Sequence, residues 1–123
     1  MKEYPQLPDS EFAVMQAIWS ETPPVTKTKI AEAITPIRGW KPQTVYTLLT
    51  RLQEKGFISS DKKGKERMYT PLVTRKDYLS QETGRFIRTF HENSLTGLMN
   101  AMFADSPDES DLSELERWLN ERK

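Results

Sequence analysis

Between Pro42 and Gly56 the apolar residues Val45, Leu48, Leu49 and Leu52 recur at i, i+3, i+4 and i+7, the spacing that lines one face of an α-helix. Residues 42–55 are therefore predicted to form a helix, opened by a proline suited to the first helical position and stopped by Gly56. Upstream, Phe12, Met15, Ile18 and Trp19 give an inward face to a first helix over residues 11–20, with Asp9 or Ser10 as the expected cap. Pro23-Pro24 imposes an extended turn, after which Thr26 caps a second helix over residues 27–34 that turns Ile30, Ala31 and Ile34 inward. Downstream, residues 57–62 and 66–70 read as short strands joined by Lys63-Gly64-Lys65, a glycine-containing connection suited to a hairpin. Helix, helix, helix, hairpin is the order of a winged helix-turn-helix domain, assigned to residues 1–73.

The polar side of the third helix carries the chemistry. Gln43, Thr47, Thr50 and Glu54 share the stripe opposite the leucines, flanked by Thr44 and Arg51 on one side and Tyr46 on the other. Amides and hydroxyls that donate and accept hydrogen bonds, beside a guanidinium, suit base edges and phosphates in a DNA major groove. Lys62, Lys63, Lys65 and Arg67 crowd the hairpin, where they can reach a phosphate backbone and displace its counterions. The competing reading is a winged-helix module that uses the same surface to bind protein and reads no DNA sequence.

The second half, residues 74–123, has a different pattern. Leu79, Thr83, Phe86, Ile87 and Phe90 form one helical stripe. After a break near Asn93-Ser94, Leu95, Leu98, Met99, Met102 and Phe103 form another. The acidic, proline-interrupted loop 105–110 precedes a last helix bearing Leu112, Leu115, Trp118 and Leu119, with Ser110 or Asp111 as the expected cap. Three short amphipathic helices cannot enclose their own stripes, so a second copy of the chain is the expected cover and this half is read as a helical dimerisation region. Folding of the stripes back onto the first domain is the alternative. The fold class is thus mostly α with a small β-hairpin wing.

Charge sharpens the division between the halves. The chain of 123 residues has a formal net charge of +0, yet residues 35–76 hold ten Lys or Arg against three acids, while residues 77–123 hold five against ten. A basic half fits a polyanion, and an acidic half fits some other task. A hydrophobic content of 36% is low for an independent compact monomer. No run is long enough to span a membrane and no secretory signal opens the chain, so a cytoplasmic location is expected. The absence of cysteine excludes disulfides and thiolate metal sites, and His91, the only histidine, leaves no paired imidazoles for zinc and one possible base for a nucleophilic triad. No glycine-rich phosphate loop is present, so neither a cofactor nor an enzymatic activity is expected.

The run Trp40-Lys41-Pro42-Gln43-Thr44-Val45-Tyr46-Thr47-Leu48-Leu49, followed by Arg51-Leu52 and Lys55-Gly56-Phe57-Ile58, resembles the signature of the penicillinase and methicillin-resistance repressors of the BlaI/MecI type. Phe12-Ala13-Val14-Met15 with Ile18-Trp19 is similar to the first helix of that family, in which a tryptophan often stands where Phe12 does. The resemblance runs along nearly the whole chain. It implies a homodimeric transcriptional repressor on a two-fold symmetric double-stranded DNA operator, with Lys41, Gln43, Thr44, Tyr46, Thr47 and Arg51 facing DNA and residues 62–67 forming the wing. It also implies release through a regulatory protease that cuts between Asn and Phe in the dimerisation region; the nearest position here is Asn100-Ala101, with Phe103 two residues beyond the expected place. The copper-responsive branch of the family senses metal through C-terminal cysteines, which this chain lacks.

Overall fold

The computed structural model describes residues 3–104 and 108–122. They form α1 (Asp9–Trp19), β1 (Val25–Thr26), α2 (Lys27–Arg38), α3 (Pro42–Glu54), β2 (Ile58–Lys63), β3 (Glu66–Pro71), α4 (Arg75–His91), α5 (Leu95–Met102) and α6 (Glu109–Glu121). Two compact units result, Met1–Glu82 and Thr83–Lys123. The division falls inside α4 and not after residue 73, because Tyr78 and Gln81 pack with the N-terminal segment. The Leu7 amide donates to the Tyr78 hydroxyl at 2.8 Å, and Gln81 exchanges two 2.7 Å bonds with the Tyr4 backbone.

In the first unit, α1, α2 and α3 enclose a core with the sheet. Val45, Leu48, Leu49 and Leu52 are all buried on the inner side of α3, as their spacing requires. Ile30, Ala31 and Ile34 are buried from α2. In α1 the fully buried residues are Val14, Met15 and Ile18, whereas Phe12 and Trp19 are half-buried and pack in a ring cluster with Tyr78. Phe57 meets the same Tyr78 ring edge-on at 5.5 Å, and the Trp19 indole N–H donates to the Val73 carbonyl at 2.9 Å. An indole that reaches a backbone acceptor at the rim explains why Trp19 is not submerged.

Local signals account for most element boundaries. Thr26 caps α2 through a bond from the Lys29 amide at 3.1 Å, as expected. That helix outruns residue 34, continuing through Pro36 to Arg38, where Gly39 at φ 69° ends it with its amide on the Thr35 carbonyl. The proline stands in the last turns, where the lost amide bond interrupts little. The cap of α1 is Pro8, which makes no side-chain cap bond, and Asp9 and Glu11 fall in the first turn, so neither Asp9 nor Ser10 caps. The Leu7–Tyr78 bond fixes the chain entry one residue earlier than side-chain chemistry alone suggests.

The sheet has the order β1-β3-β2 and is antiparallel throughout. Its hairpin register pairs Ile58 with Pro71 and Lys63 with Glu66, leaving a two-residue Gly64-Lys65 turn. Gly64 takes φ 65° at the first turn position, the requirement of a tight type II′ connection. Strand β1 is too short for periodicity to reveal, yet it joins α2 to the hairpin by pairing Val25 with Tyr69 and Thr26 with Met68.

The second unit is built from the rest of α4 with α5 and α6. Glu92 and Asn93, both at positive φ, break the chain after α4, and Ser94 caps α5 through the Gly97 amide at 3.0 Å. The expected caps of α6, Ser110 and Asp111, are displaced by Asp108, whose carboxylate accepts from the Ser110 amide and hydroxyl at 2.9 Å each. These bonds hold the Asp108 carboxyl below its ordinary range. Residues 105–107 of the acidic loop lie outside the described residues.

Candidate nucleic-acid interface

Burial of the aliphatic side of α3 leaves its polar side to solvent. Gln43, Thr44, Thr47, Thr50 and Arg51 are exposed, as are Lys41 at the cap and Glu54 at the end. Tyr46 is half-buried, because Lys27 lies over its ring with the ammonium 4.0 Å from the centroid. This cation–π contact brings α2 to the edge of the polar stripe. A cleft of about 390 Å³ runs beside α3, with Gln43, Tyr46, Thr47, Thr50 and Gln53 on one side and Lys27, Arg67 and Tyr69 on the other.

The hairpin supplies the positive charge. Lys62, Lys63, Lys65 and Arg67 are all exposed. The register sets Lys62 directly opposite Arg67, and like charges placed so repel. The Arg67 guanidinium donates to Ser60 Oγ at 2.9 Å, which holds it near the cleft. At the neighbouring pair, Thr28 donates to the Glu66 carboxylate at 2.9 Å, so that acid is held against the start of α2. Burial pushes the Tyr69 phenol above its ordinary value of 10.0, against the lowering effect of Arg67 and with a smaller raising effect from Tyr46. The phenol therefore stays protonated at neutral pH and remains a donor.

Repulsion between Lys62 and Arg67 opposes the pairing of β2 with β3. The expected result of Lys62→Thr is thus unchanged or slightly raised stability, by up to ~1 kcal/mol in urea unfolding. A loss of stability in the variant would contradict the repulsion.

Three of the ten basic residues within 35–76 make contacts elsewhere. Lys55 is no part of this surface: its ammonium pairs with Glu11, the one buried charged residue among those described. Arg38 stacks over Trp40, with 5.5 Å between guanidinium and ring. Arg75 donates to Gln16 at 3.2 Å. Conversely, Lys27 and Tyr69 join the cleft because the β1–β3 pairing and the α2–α3 packing bring them there, and Gln53 joins it from α3 itself, about one turn beyond Thr50.

In the second unit Phe86, Phe90, Leu95, Met102, Leu112 and Leu119 are exposed, while Ile87, Leu98, Met99, Phe103 and Leu115 are half-buried. Leu79 is half-buried and belongs to the first unit. Asn100 and Ala101 are exposed within α5. Among the described residues no helix is long and apolar enough to cross a membrane, and no group of His, Cys, Asp or Glu could hold a metal ion.

Three helices, a hairpin wing and an outward polar third helix define a winged helix-turn-helix domain, the architecture of many DNA-binding proteins. A family model described as penicillinase repressor matches residues 7–121, and the chain belongs to that family. It is 29% identical to the penicillinase repressor of Bacillus licheniformis, over 100% of this chain and 96% of that one. It is 30% identical to the methicillin resistance regulatory protein MecI of Mammaliicoccus sciuri, over 95% of each. Among solved structures it is similar to the DNA-binding domain of the repressor BlaI in solution, with TM-score 0.56 and 33% identity over 63% of this chain and 94% of that one. It is equally similar to monomeric Bacillus licheniformis BlaI in complex with the blaP half-operator, with TM-score 0.55 and 33% identity over the same shares.

Proposed function

We propose that the chain is a homodimeric transcriptional repressor, located in the cytoplasm, that places α3 of each copy in the major groove of a two-fold symmetric operator. One observation carries this reading. The exposed stripe of Gln43, Thr47 and Thr50 lies beside a basic wing, while the opposite side of α3 is wholly buried. Lys41, Gln43, Thr44, Tyr46, Thr47, Thr50 and Arg51 serve as groove and backbone contacts, and Lys62, Lys63, Lys65 and Arg67 serve as phosphate contacts. The likeness to a BlaI monomer in complex with a half-operator supports DNA as the partner. The relatives' names make resistance genes the proposed targets.

Release by proteolysis fits the same scheme. Cutting at Asn100-Ala101 would sever α6 from α4, and α5 must unwind first because a protease takes an extended segment. An eight-residue helix with no buried residue offers little resistance.

Selection from random duplexes with the purified chain tests the proposal. A two-fold motif is the expected product, with log affinity falling linearly against log salt. The double variant Arg51→Ala, Lys65→Ala should bind that motif at least about tenfold more weakly while remaining folded and self-associated. Unchanged affinity in a gel-shift titration would remove this surface from the interface, and a shallow salt slope without a motif would favour a protein partner.

A further inference from the structure

Resting on the operator reading above, the geometry points to Thr47 and Thr50 as readers of A·T base pairs through contact with the thymine methyl group. Each hydroxyl donates back to the helix: Thr47 Oγ1 to the Gln43 carbonyl at 3.1 Å, and Thr50 Oγ1 to the Tyr46 carbonyl at 3.2 Å. A hydroxyl has a single proton, so what each residue offers to solvent is a methyl group and an oxygen lone pair.

Those two features match one kind of base pair. A G·C pair presents the acceptors N7 and O6 and the cytosine N4 donor but no methyl in the major groove, so a threonine whose proton is already committed can meet it through its lone pair alone. An A·T pair presents the thymine methyl together with the adenine N6 donor, which complements a methyl and a lone pair. Gln43 and Gln53 border the same cleft, and their amides can bond adenine N6 and N7 together. Arg51 does not line that cleft, and of the two cations that do, Arg67 is bonded to Ser60 and Lys27 lies over the Tyr46 ring. The polar stripe of α3 therefore selects thymine-containing half-sites, with the two threonines as specificity-determining residues.

The test begins with the enriched duplex. Each thymine is replaced singly by deoxyuridine, which removes the methyl and leaves every hydrogen-bonding group. Loss of binding of about fourfold is expected at one or two positions in each half-site, the worth of burying one such group. Thr47→Ser and Thr50→Ser keep the back-bonded hydroxyl but lack the methyl, so each should bind thymine and deoxyuridine equally at its own position. Thr47→Val and Thr50→Val should retain the discrimination. Equal binding of thymine and deoxyuridine duplexes by the unaltered chain would overturn the assignment while leaving operator binding intact. Undiminished discrimination in the serine variants would also overturn it. Failure to enrich any duplex would overturn both readings.

Discussion

Lys55→Met is expected to lower the stability of the N-terminal unit by about 3 kcal/mol. Glu11 is only 3% exposed, and its carboxylate accepts from the Lys55 ammonium, which reaches back from the end of α3 to the first turn of α1. Removing the ammonium strands a desolvated charge, and that cost exceeds the modest net worth of the pair itself. The lysine is partly open to water, which sets the figure at the low end of the usual range. Against a typical stability of roughly 5–15 kcal/mol for a domain, the loss is large. The double variant Glu11→Leu, Lys55→Met should recover most of it, because no unpaired charge remains. Urea unfolding of both variants checks the cycle, and a loss below about 1 kcal/mol in Lys55→Met would show that water already solvates Glu11. Since Lys55 is paired with Glu11 and does not line the α3 cleft, Lys55→Met should leave the salt dependence of DNA binding unchanged.

The same lysine marks the boundary of what the sequence reveals. By composition Lys55 is one of ten basic residues within 35–76. Only a contact spanning 44 positions assigns it to an ion pair with Glu11. Periodicity is local, so it captures α3 well: four apolar residues at helical spacing, a proline to start and a glycine at φ 81° just after the end. It captures the hairpin for a similar reason, through Gly64. It misses β1, where two residues carry no period, and therefore misses Lys27 and Tyr69, which the pairing of Val25 with Tyr69 draws to the cleft. Capping was legible where a side chain does the work, at Thr26, and illegible at Pro8, where a tyrosine some seventy residues away fixes the chain. The exposed stripe was thus readable in outline. The inward use of the threonine hydroxyls was not, because composition shows only that a hydroxyl is present.

Phe90→Asp is expected to convert the chain to a monomer and to weaken its grip on a full two-fold operator by about 10²–10⁴-fold. From Thr83 onward none of the described residues is buried, so the second unit has no core of its own. Phe90 is 68% exposed and its ring lies tilted against Phe86 at 4.9 Å, with Leu95, Met102, Trp118 and Leu119 also open to water. Apolar surface of this kind calls for cover, and the proposed cover is the same unit of a second copy. A carboxylate at position 90 would be desolvated without a partner at that seam, whereas in the free chain it would meet water, so self-association should suffer and folding should not. The half-site should be bound about as tightly by the variant as by the unaltered chain, because each wing and α3 remain in place. Net charge would oppose such pairing, since residues 77–123 carry ten acids against five bases. Raising salt should accordingly weaken DNA binding steeply while leaving the dimer intact. Sedimentation equilibrium across salt separates the two effects, and undisturbed dimers of Phe90→Asp would exclude that residue from the seam.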